Sequence, residues 1–246
     1  MGPVIEAEKL VKRFGGMTAV DEASFTVEAG ALLGVIGPNG SGKTTTLNIL
    51  NGAIRPDDGV VRVNGKEMQG KASTAFVGAG VSRTFQNPRV FTTITALENM
   101  LVPVLHQKGK GVDWREKALE LLAFVGLEDH RDTPASELSG GQQKLLEFVR
   151  ALMTDPSVVL MDEPFAGVHP SVKELMRQRI LDRNREGTAF VIVSHEIPDL
   201  TRLCPQILCM SSGKVVAYGP PSEVTSDPHV IEAYLGHGPS AGNGSS

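Results

Sequence analysis

The segment ALLGVIGPNGSGKTTTLNIL, residues 31–50, combines a strand pattern, a glycine-rich turn and a helix pattern. Residues 31–36 form a continuous apolar run, which is typical of a strand that is buried on both faces. Residues 43–51 favour a helix, and Gly52 follows as its expected C-terminal cap. The turn between them, GPNGSGKT, fits the pattern G-x-x-x-x-G-K-[ST] in its proper context. We therefore predict an α/β fold organised around this turn.

The turn has the chemistry of a triphosphate site. Glycines allow backbone N–H groups to converge on phosphate oxygens, and the N-terminus of the following helix adds partial positive charge. Lys43 can reach the β- and γ-phosphates, and the Thr44 hydroxyl can bind Mg²⁺. A glycine loop without a ligand is the alternative, but it does not explain the strand and helix on either side. The predicted nucleotide-binding residues of the turn are Gly37, Pro38, Asn39, Gly40, Ser41, Gly42, Lys43, Thr44 and Thr45.

Two adjacent carboxylates end a second apolar run, VVLMDEP at residues 158–164. A buried carboxylate without a partner is unfavourable, so these acids require a cation or hydrogen-bond donors. We predict that Asp162 organises Mg²⁺, directly or through water. Because successive side chains of a strand alternate, we expect Glu163 on the opposite side of the pleat, polarising a water aimed at the γ-phosphate. A capping pair at the strand end is the alternative.

Two further polar residues follow strand-like segments. VSRTFQ ends in Gln86, and VIVSHE ends in His195. The α/β sheets bind ligands at the carboxyl ends of their strands, so both side chains could reach the same crevice. A lone glutamine or histidine in such a place is more often structural. It is the order of the motifs along the chain that favours function here.

A second glycine-rich turn, LSGGQ at residues 138–142, also leads into a predicted helix. This turn offers backbone N–H groups and the Ser139 hydroxyl to an anion. A nucleotide has a single triphosphate tail, and the first turn is expected to hold it. The second turn therefore needs a separate explanation.

The composition is that of an ordinary globular protein, with 246 residues, 41% hydrophobic and 21% charged. The 24 basic and 28 acidic side chains give a net charge of −4, which offers no electrostatic reason to expect a nucleic acid partner. Cys204 and Cys209 lack a metal-binding spacing and are expected to be buried thiols. No apolar run approaches the roughly 18–20 residues of a membrane span. We expect a cytoplasmic protein that is soluble by itself.

The phosphate turn, the glutamine, LSGGQ, the apolar strand ending in DE, and the histidine occur in a characteristic order and spacing. This order resembles the ATP-binding subunit of an ABC transporter over about residues 4–235. The resemblance implies a P-loop NTPase of ABC ATPase type, with an antiparallel β subdomain on a mixed-sheet α/β core. The expected core comprises residues 1–94 and 151–235, and a helical subdomain carrying LSGGQ comprises residues 95–150. Residues 236–246 are expected to be a disordered tail.

The resemblance also implies roles for single residues, with ATP and Mg²⁺ as the ligands. Glu163 would be the general base or water-orienting group, and His195 the switch histidine that contacts the γ-phosphate. Gln86 would be the lid glutamine that meets Mg²⁺ and the attacking water. Phe14 lies where the family stacks an aromatic ring on adenine, and Val20 is assigned to the same nucleotide site. A core aromatic is the alternative role for Phe14.

A head-to-tail dimer, implied by the same resemblance, explains the second glycine turn. Each ATP would lie between the phosphate loop of one subunit and the LSGGQ of the other. Closure would depend on contacts that exist only while the γ-phosphate is present. The dimer could be a homodimer or a heterodimer. The residues assigned to the opposing site are Ser139, Gly140, Gly141, Gln142 and His169.

Three stretches are similar to one importer branch of the family, that for branched-chain amino acids and related hydrophobic amino acids, amides or urea. They are KRFGGMTAVDEASF, VSRTFQNPRVFTTITALENM and SEVTSDPHVIEAYLG. The similarity implies ATP-driven import through membrane permease subunits, with a substrate-binding protein as an indirect partner. RTFQNPRVF lies where the family contacts the coupling helix of its membrane partner. The alternatives are an ABC ATPase for another substrate, such as a lipid, and a non-transport ABC ATPase. A soluble P-loop switch or kinase would lack LSGGQ.

The loop AGVHP, residues 166–170, departs from the usual pattern. It has His169 where ABC proteins usually place Asp, and where this branch often has Asn. The loop is expected to face the opposing site of the dimer. Two roles remain open for His169: a pH-responsive group, and a neutral hydrogen-bonding substitute for Asn.

Overall fold

Two sheets and nine helices make up the part of the chain that the computed structural model describes, residues 2–106 and 111–235. The strands are β1 Pro3–Phe14, β2 Met17–Glu28, β3 Leu32–Ile36, β4 Asp58–Val63, β5 Lys66–Glu67, β6 Val81–Thr84, β7 Val158–Asp162, β8 Ala189–Val193, β9 Gln206–Ser211 and β10 Lys214–Gly219. The helices are α1 Lys43–Leu50, α2 Ser73–Gly78, α3 Ala96–Leu101, α4 Trp114–Phe124, α5 Gly140–Leu152, α6 Pro170–Arg185, α7 Ile197–Leu203, α8 Pro221–Ser226 and α9 Pro228–Leu235.

The larger sheet has six strands in the order β10-β9-β3-β8-β7-β6. The strands from β9 to β6 are parallel to their neighbours, and β10 is an antiparallel edge strand. The carboxyl ends of parallel strands meet at one edge of a sheet. The segments that follow β3, β6, β7 and β8 therefore come together at that edge. These segments contain the phosphate turn, Gln86, Glu163 and His195.

The six-stranded sheet separates two hydrophobic cores. Along β8, Phe190 and Ile192 face one core, whereas Val191 and Val193 face the other. The first core also contains the buried sides of α4, α5 and α6, and the second contains α1 and the smaller sheet. Strands buried on both faces have no polar alternation. This explains the continuous apolar runs in the sequence.

The smaller sheet is antiparallel, with the order β2-β1-β4-β5. The alternation of Phe25 and Val27 with polar neighbours predicts a strand over residues 24–30, and β2 is longer because it begins at Met17. The partner β1 was not predicted, since its interrupted alternation hides a strand of 12 residues. Its register shifts where Lys9 adopts a positive φ of 47°. Such irregularities break the period of two on which strand prediction depends.

The helices α3, α4 and α5 lie within or near the predicted helical subdomain. The sequence predicts a helix capped by Asp113, and Asp113 does cap α4 by accepting hydrogen bonds from the amides of Arg115 and Glu116. The amphipathic helix α5 continues to Leu152, beyond the expected boundary at residue 150. The division into subdomains stays a prediction. The expected disordered tail, residues 236–246, lies outside the described residues.

Several local predictions are confirmed by the structure. The helix after the phosphate turn runs from Lys43 to Leu50, and Gly52 follows with a φ of 71°. The segment ILCMSSGKVVAYG predicts a hairpin that turns at residues 212–214, and β9 and β10 form it, with positive φ at Ser212 and Gly213. Cys204 and Cys209 are free and buried. None of the helices in the described ranges is long and apolar enough to cross a bilayer.

Candidate nucleotide-binding site

A cavity of about 490 Å³ opens at the carboxyl edge of the six-stranded sheet. Seven residues of the phosphate turn, from Asn39 to Thr45, line one side of it. Gln86, Asp162, Glu163 and His195 line the cavity as well. The structure therefore brings together the predicted phosphate loop, metal ligand, base and switch histidine. The remaining lining residues are Met17, Ala19 and Val193.

Two positions in the phosphate turn admit only glycine. A Cβ at Gly37 would lie 2.2 Å from the backbone oxygen of Met210, and a Cβ at Gly42 would lie 2.4 Å from that of Ala19. Gly42 also has a φ of 102°, which side-chain-bearing residues rarely adopt. The loop is therefore pressed against β9 and β2, and the first residues of α1 line the cavity. A helix N-terminus in this position favours an anion.

Lys43 is the cation of the cavity. Its Nζ donates hydrogen bonds to the backbone oxygens of Gly37 at 2.7 Å and Pro38 at 2.9 Å. Burial lowers the pKa of Lys43, and the nearby carboxylates of Glu163 and Asp162 oppose that shift. The ammonium group is thus held beside two acids, in the position from which a phosphate would be bound.

Asp162 is paired with Arg83, a residue that is not among the predicted site residues. The Arg83 guanidinium donates to Asp162 at 3.3 Å and to the Asn48 side chain at 2.5 Å. Burial raises the pKa of Asp162, and the charge of Arg83 opposes this rise. The arginine therefore favours the ionised form of this buried carboxylate, which is the form that binds a metal. The sequence signal that could have indicated this pair is Arg83 itself, a charged residue near the end of the short strand β6.

We expect Arg83→Met to lower the free energy of unfolding by about 3 kcal/mol at neutral pH, because it leaves a buried carboxylate without its cation. Without the arginine the pKa of Asp162 rises further, so the carboxyl protonates as the pH falls and the loss becomes smaller. Urea unfolding at pH 7 and pH 4 measures both effects. The control is Arg185→Met, because Arg185 is exposed in its pair with Asp182 and should matter little. Equal losses in the two variants would contradict this account.

Glu163 lies just past β7 with a φ of 49°, in the left-handed region. The expectation that Glu163 and Asp162 point to opposite sides of the pleat is wrong. The strand has ended at Asp162, so its alternation no longer applies, and both carboxylates line the same cavity. The Glu163 carboxylate accepts from the Ser194 hydroxyl at 3.1 Å and the His195 amide at 3.0 Å. The His195 ring nitrogen Nδ1 lies 2.9 Å from Glu163 Oε1.

Two charged side chains of α5, those of Lys144 and Glu147, bond to the backbone next to residues that line the cavity. Lys144 donates to the backbone oxygens of Glu163 at 3.2 Å and Ala166 at 2.7 Å, which fixes the turn after β7. Glu147 accepts from the amides of Phe85 at 3.1 Å and Arg89 at 2.7 Å, and so holds the segment around Gln86. Burial raises the pKa of Glu147. Helix α5, which begins at LSGGQ, is therefore bonded both to the turn that contains Glu163 and to the segment that contains Gln86.

The expected adenine contact Phe14 and the expected nucleotide-site residue Val20 lie outside the cavity lining. Phe14 is 45% exposed, with the Lys12 ammonium 5.5 Å from its ring centre, so it remains available to stack on a base. Val20 is fully buried and has no surface with which to touch a nucleotide. Its neighbours Met17 and Ala19 line the cavity instead. Alternation along β2 explains this, because every second side chain faces the core.

The LSGGQ turn does not line the cavity of its own chain. Ser139 caps α5, where its hydroxyl accepts from the Gln142 amide at 3.3 Å and the Gln142 side chain accepts from the Ser139 amide. This reciprocal arrangement is a capping box. The first-turn amides of Gly140 and Gly141 have no partner one turn earlier in the helix. They remain available to an anion brought by another molecule.

His169 is the N-cap residue of α6. Its Nδ1 accepts from the Ser171 amide at 3.3 Å and lies 2.8 Å from the Ser171 hydroxyl. An Asn side chain also caps helices through a side-chain acceptor, so this contact is compatible with a substitute for Asn, and the role of His169 stays a prediction.

Two family models match parts of this chain. A family model described as ABC transporter matches residues 20–166, and one described as branched-chain amino acid ATP-binding cassette transporter matches residues 214–239. The chain is similar to the high-affinity branched-chain amino acid transport ATP-binding protein BraF of Pseudomonas aeruginosa. The two are 33% identical over 252 residues, which cover 95% of this chain and 98% of BraF.

Two solved structures extend the likeness to the fold. One is the ADP conformation of an ATP-binding cassette of an ABC transporter, with a TM-score of 0.86, 35% identity, and coverage of 96% of this chain and 100% of that one. The other is a dimeric post-hydrolysis state of an ATP-binding cassette bound to ADP and Pi. It has a TM-score of 0.80, 25% identity, and coverage of 88% and 98%. The chain therefore belongs to the ABC transporter family as an ATP-binding cassette ATPase.

Proposed function

We propose that this ATPase powers the import of branched-chain or related hydrophobic amino acids, as one of two ATP-binding subunits on membrane permeases at the cytoplasmic face. The observation that carries the proposal is the division of the catalytic groups. The phosphate loop, Asp162, Glu163 and His195 share one cavity, whereas Ser139 and its glycines lie outside it. A second subunit would bring its own LSGGQ turn to this cavity. The dimeric ADP-bound relative supports such an assembly.

The substrate class rests on likeness. BraF is named for branched-chain amino acid transport, and the C-terminal residues 214–239 match a family model with that description. The ATPase chemistry of the site does not depend on the cargo. The transported substrate therefore needs a test of its own.

Mg²⁺ fits the donors that the cavity offers. The Thr44 hydroxyl, the Gln86 amide and the Asp162 carboxylate all line it, and oxygen donors are those that Mg²⁺ prefers. No group of three or more potential His, Cys, Asp or Glu ligands occurs among the described residues. That agrees with Mg²⁺, which usually binds through one or two carboxylates together with substrate phosphates. When bound, the ion would neutralise charge on the phosphates.

Hydrolysis needs a water in line with the γ-phosphate and a group that accepts its proton. Glu163 is placed for the second task, because Ser194 and the His195 amide hold its carboxylate at the cavity. Lys43 would bind the β- and γ-phosphates at the same time. His195 would exchange its contact with Glu163 for one with the γ-phosphate. Loss of the γ-phosphate would then weaken both this contact and the contact with the opposing LSGGQ.

Phe91 is 51% exposed, and through it the segment RTFQNPRVF would contact the membrane partner. The buried Asn99 side chain bonds the Phe91 amide and carbonyl, and Arg150 lies 5.5 Å from the Phe91 ring centre. Arg150 also donates to the Arg89 carbonyl. Glu147 holds the segment from Phe85 to Arg89. A displacement of the exposed Phe91 ring by a membrane partner would therefore be transmitted to the backbone around Gln86. This supports RTFQNPRVF as the permease contact.

Uptake measurements test the proposal. In cells that lack a matching ATP-binding subunit but hold this chain with its permeases and binding protein, we expect ATP-dependent accumulation of labelled leucine. Lys43→Ala should abolish the accumulation, because it removes the cation at the phosphates. Labelled urea, acetamide and lipid are the competing cargoes. Accumulation of one of these and not of leucine would overturn the substrate class, and no accumulation of any would overturn the transport role.

A further inference from the structure

The C-terminal helix α9 touches the first residue of the phosphate loop. The backbone amide of Gly37 donates a hydrogen bond to the Tyr234 hydroxyl at 2.8 Å. Tyr234 is half-buried, and its ring packs against the first hydrophobic core. Burial raises the pKa of its phenol, which therefore stays neutral at physiological pH. A residue near the end of the described chain thus bonds to the beginning of the nucleotide site.

Gly37 is the position at which β3 passes into the loop, and it is buried. Its Cα faces the Met210 carbonyl so closely that a Cβ would lie 2.2 Å away. A buried amide needs a hydrogen-bond partner. The amide lies past Ile36, the last residue of β3 that pairs with β9. Its partner is therefore the Tyr234 hydroxyl, which lies outside the sheet.

The other polar group of Gly37 bonds the phosphate-binding lysine. The Gly37 carbonyl accepts from Lys43 Nζ at 2.7 Å. One residue therefore connects Tyr234, through its amide, to Lys43, through its carbonyl. A change in the orientation of Gly37 would move the carbonyl that holds the ammonium group. The phenol acts on the nucleotide site through this residue, without lining the cavity itself.

We propose that Tyr234 is a positioning residue for the phosphate loop, through which helix α9 sets the affinity for ATP. The hydroxyl fixes Gly37, and Gly37 fixes Lys43 in the place where it binds phosphate. The ring anchors α9 against the core, so the helix and the loop move together. The proposal concerns ATP binding alone and does not depend on the transported substrate.

Tyr234→Phe tests the proposal because it removes the hydroxyl and keeps the ring. We expect the KM for ATP to rise about three- to tenfold, the range that a single hydrogen bond supports. At saturating ATP, kcat should change less than twofold. The matched control is Tyr218→Phe, because Tyr218 is the only other tyrosine, is half exposed on β10 and does not line the cavity. A KM within twofold of wild type, or an equal rise in the control, would overturn the proposal.

A spectroscopic measurement keeps the proposal testable if the first variant folds poorly. The chain has 2 tyrosines, so Tyr218→Phe leaves Tyr234 as the single site for 3-fluorotyrosine. We expect its fluorine resonance to shift during titration with ATP, because Gly37 and Lys43 adjust to the phosphates. A purely structural tyrosine would give a resonance that does not change. Hydrogen exchange of the Gly37 amide should also accelerate in Tyr234→Phe, whereas unchanged exchange would contradict the bond.

Discussion

Glu163→Gln should bind ATP with an affinity close to that of wild type and hydrolyse it at least about 100-fold more slowly, the scale of a lost general base. The amide keeps the size of the side chain and can still meet Ser194 and the His195 amide. It loses the charge that accepts a proton from water. The γ-phosphate therefore persists, and a closed dimer should accumulate with ATP.

The measurements are phosphate release and the molar mass by light scattering, each with Mg²⁺ and with chelator. Glu196→Gln is the matched control, because its carboxylate is nearby but pairs with Lys173 and does not line the cavity. The control should retain hydrolysis. Near wild-type hydrolysis by Glu163→Gln would show that Glu163 does not have the assigned role. Failure to dimerise with ATP would contradict the link between the γ-phosphate and closure.

Ser139→Arg should abolish ATP-driven dimerisation and hydrolysis while leaving ATP binding by the monomer largely intact. Ser139 is exposed, and its hydroxyl caps α5. An arginine would fill the approach to the amides of Gly140 and Gly141, where the opposing nucleotide is expected. The cost of the lost cap, about 1 kcal/mol, is too small to unfold the chain. The block would therefore act at the interface.

Light scattering in a Glu163→Gln background with and without ATP decides this prediction. Ser136→Arg adds the same charge at an exposed serine just before the LSGGQ turn and should leave the ATP-bound dimer intact. Fluorescent ATP analogues check that binding to the monomer persists. A dimer of unchanged mass in Ser139→Arg would remove the basis for a shared site.

The local parts of the nucleotide site could be predicted from sequence. The buried strand, the glycine turn and the helix lie within residues 31–50, so contiguous residues specify them. The same holds for the cap at Asp113 and for the turn at Ser212 and Gly213. Apolar runs showed which strands are buried on both faces. They did not show β1, because its irregular register interrupts the pattern.

The pairings around the site are decided by the tertiary structure. Arg83 and Asp162 lie on adjacent strands, and Gly37 meets Tyr234 across 197 positions of the chain. Residues this far apart are joined by the strand order β3-β8-β7-β6 and by the packing of α9. Periodicity reports which face of an element is buried, and it contains no information about the residue opposite.

The sequence by itself determined that this chain binds a nucleoside triphosphate and carries a second glycine turn, because both motifs depend on short-range geometry. Only the tertiary structure showed that the backbone leaves the pleat at Glu163, with a φ of 49°, so that strand alternation does not decide where its carboxylate lies. It also placed LSGGQ outside the cavity that Glu163 lines. The distance between two loops depends on the packing of the elements that carry them, which no local pattern specifies.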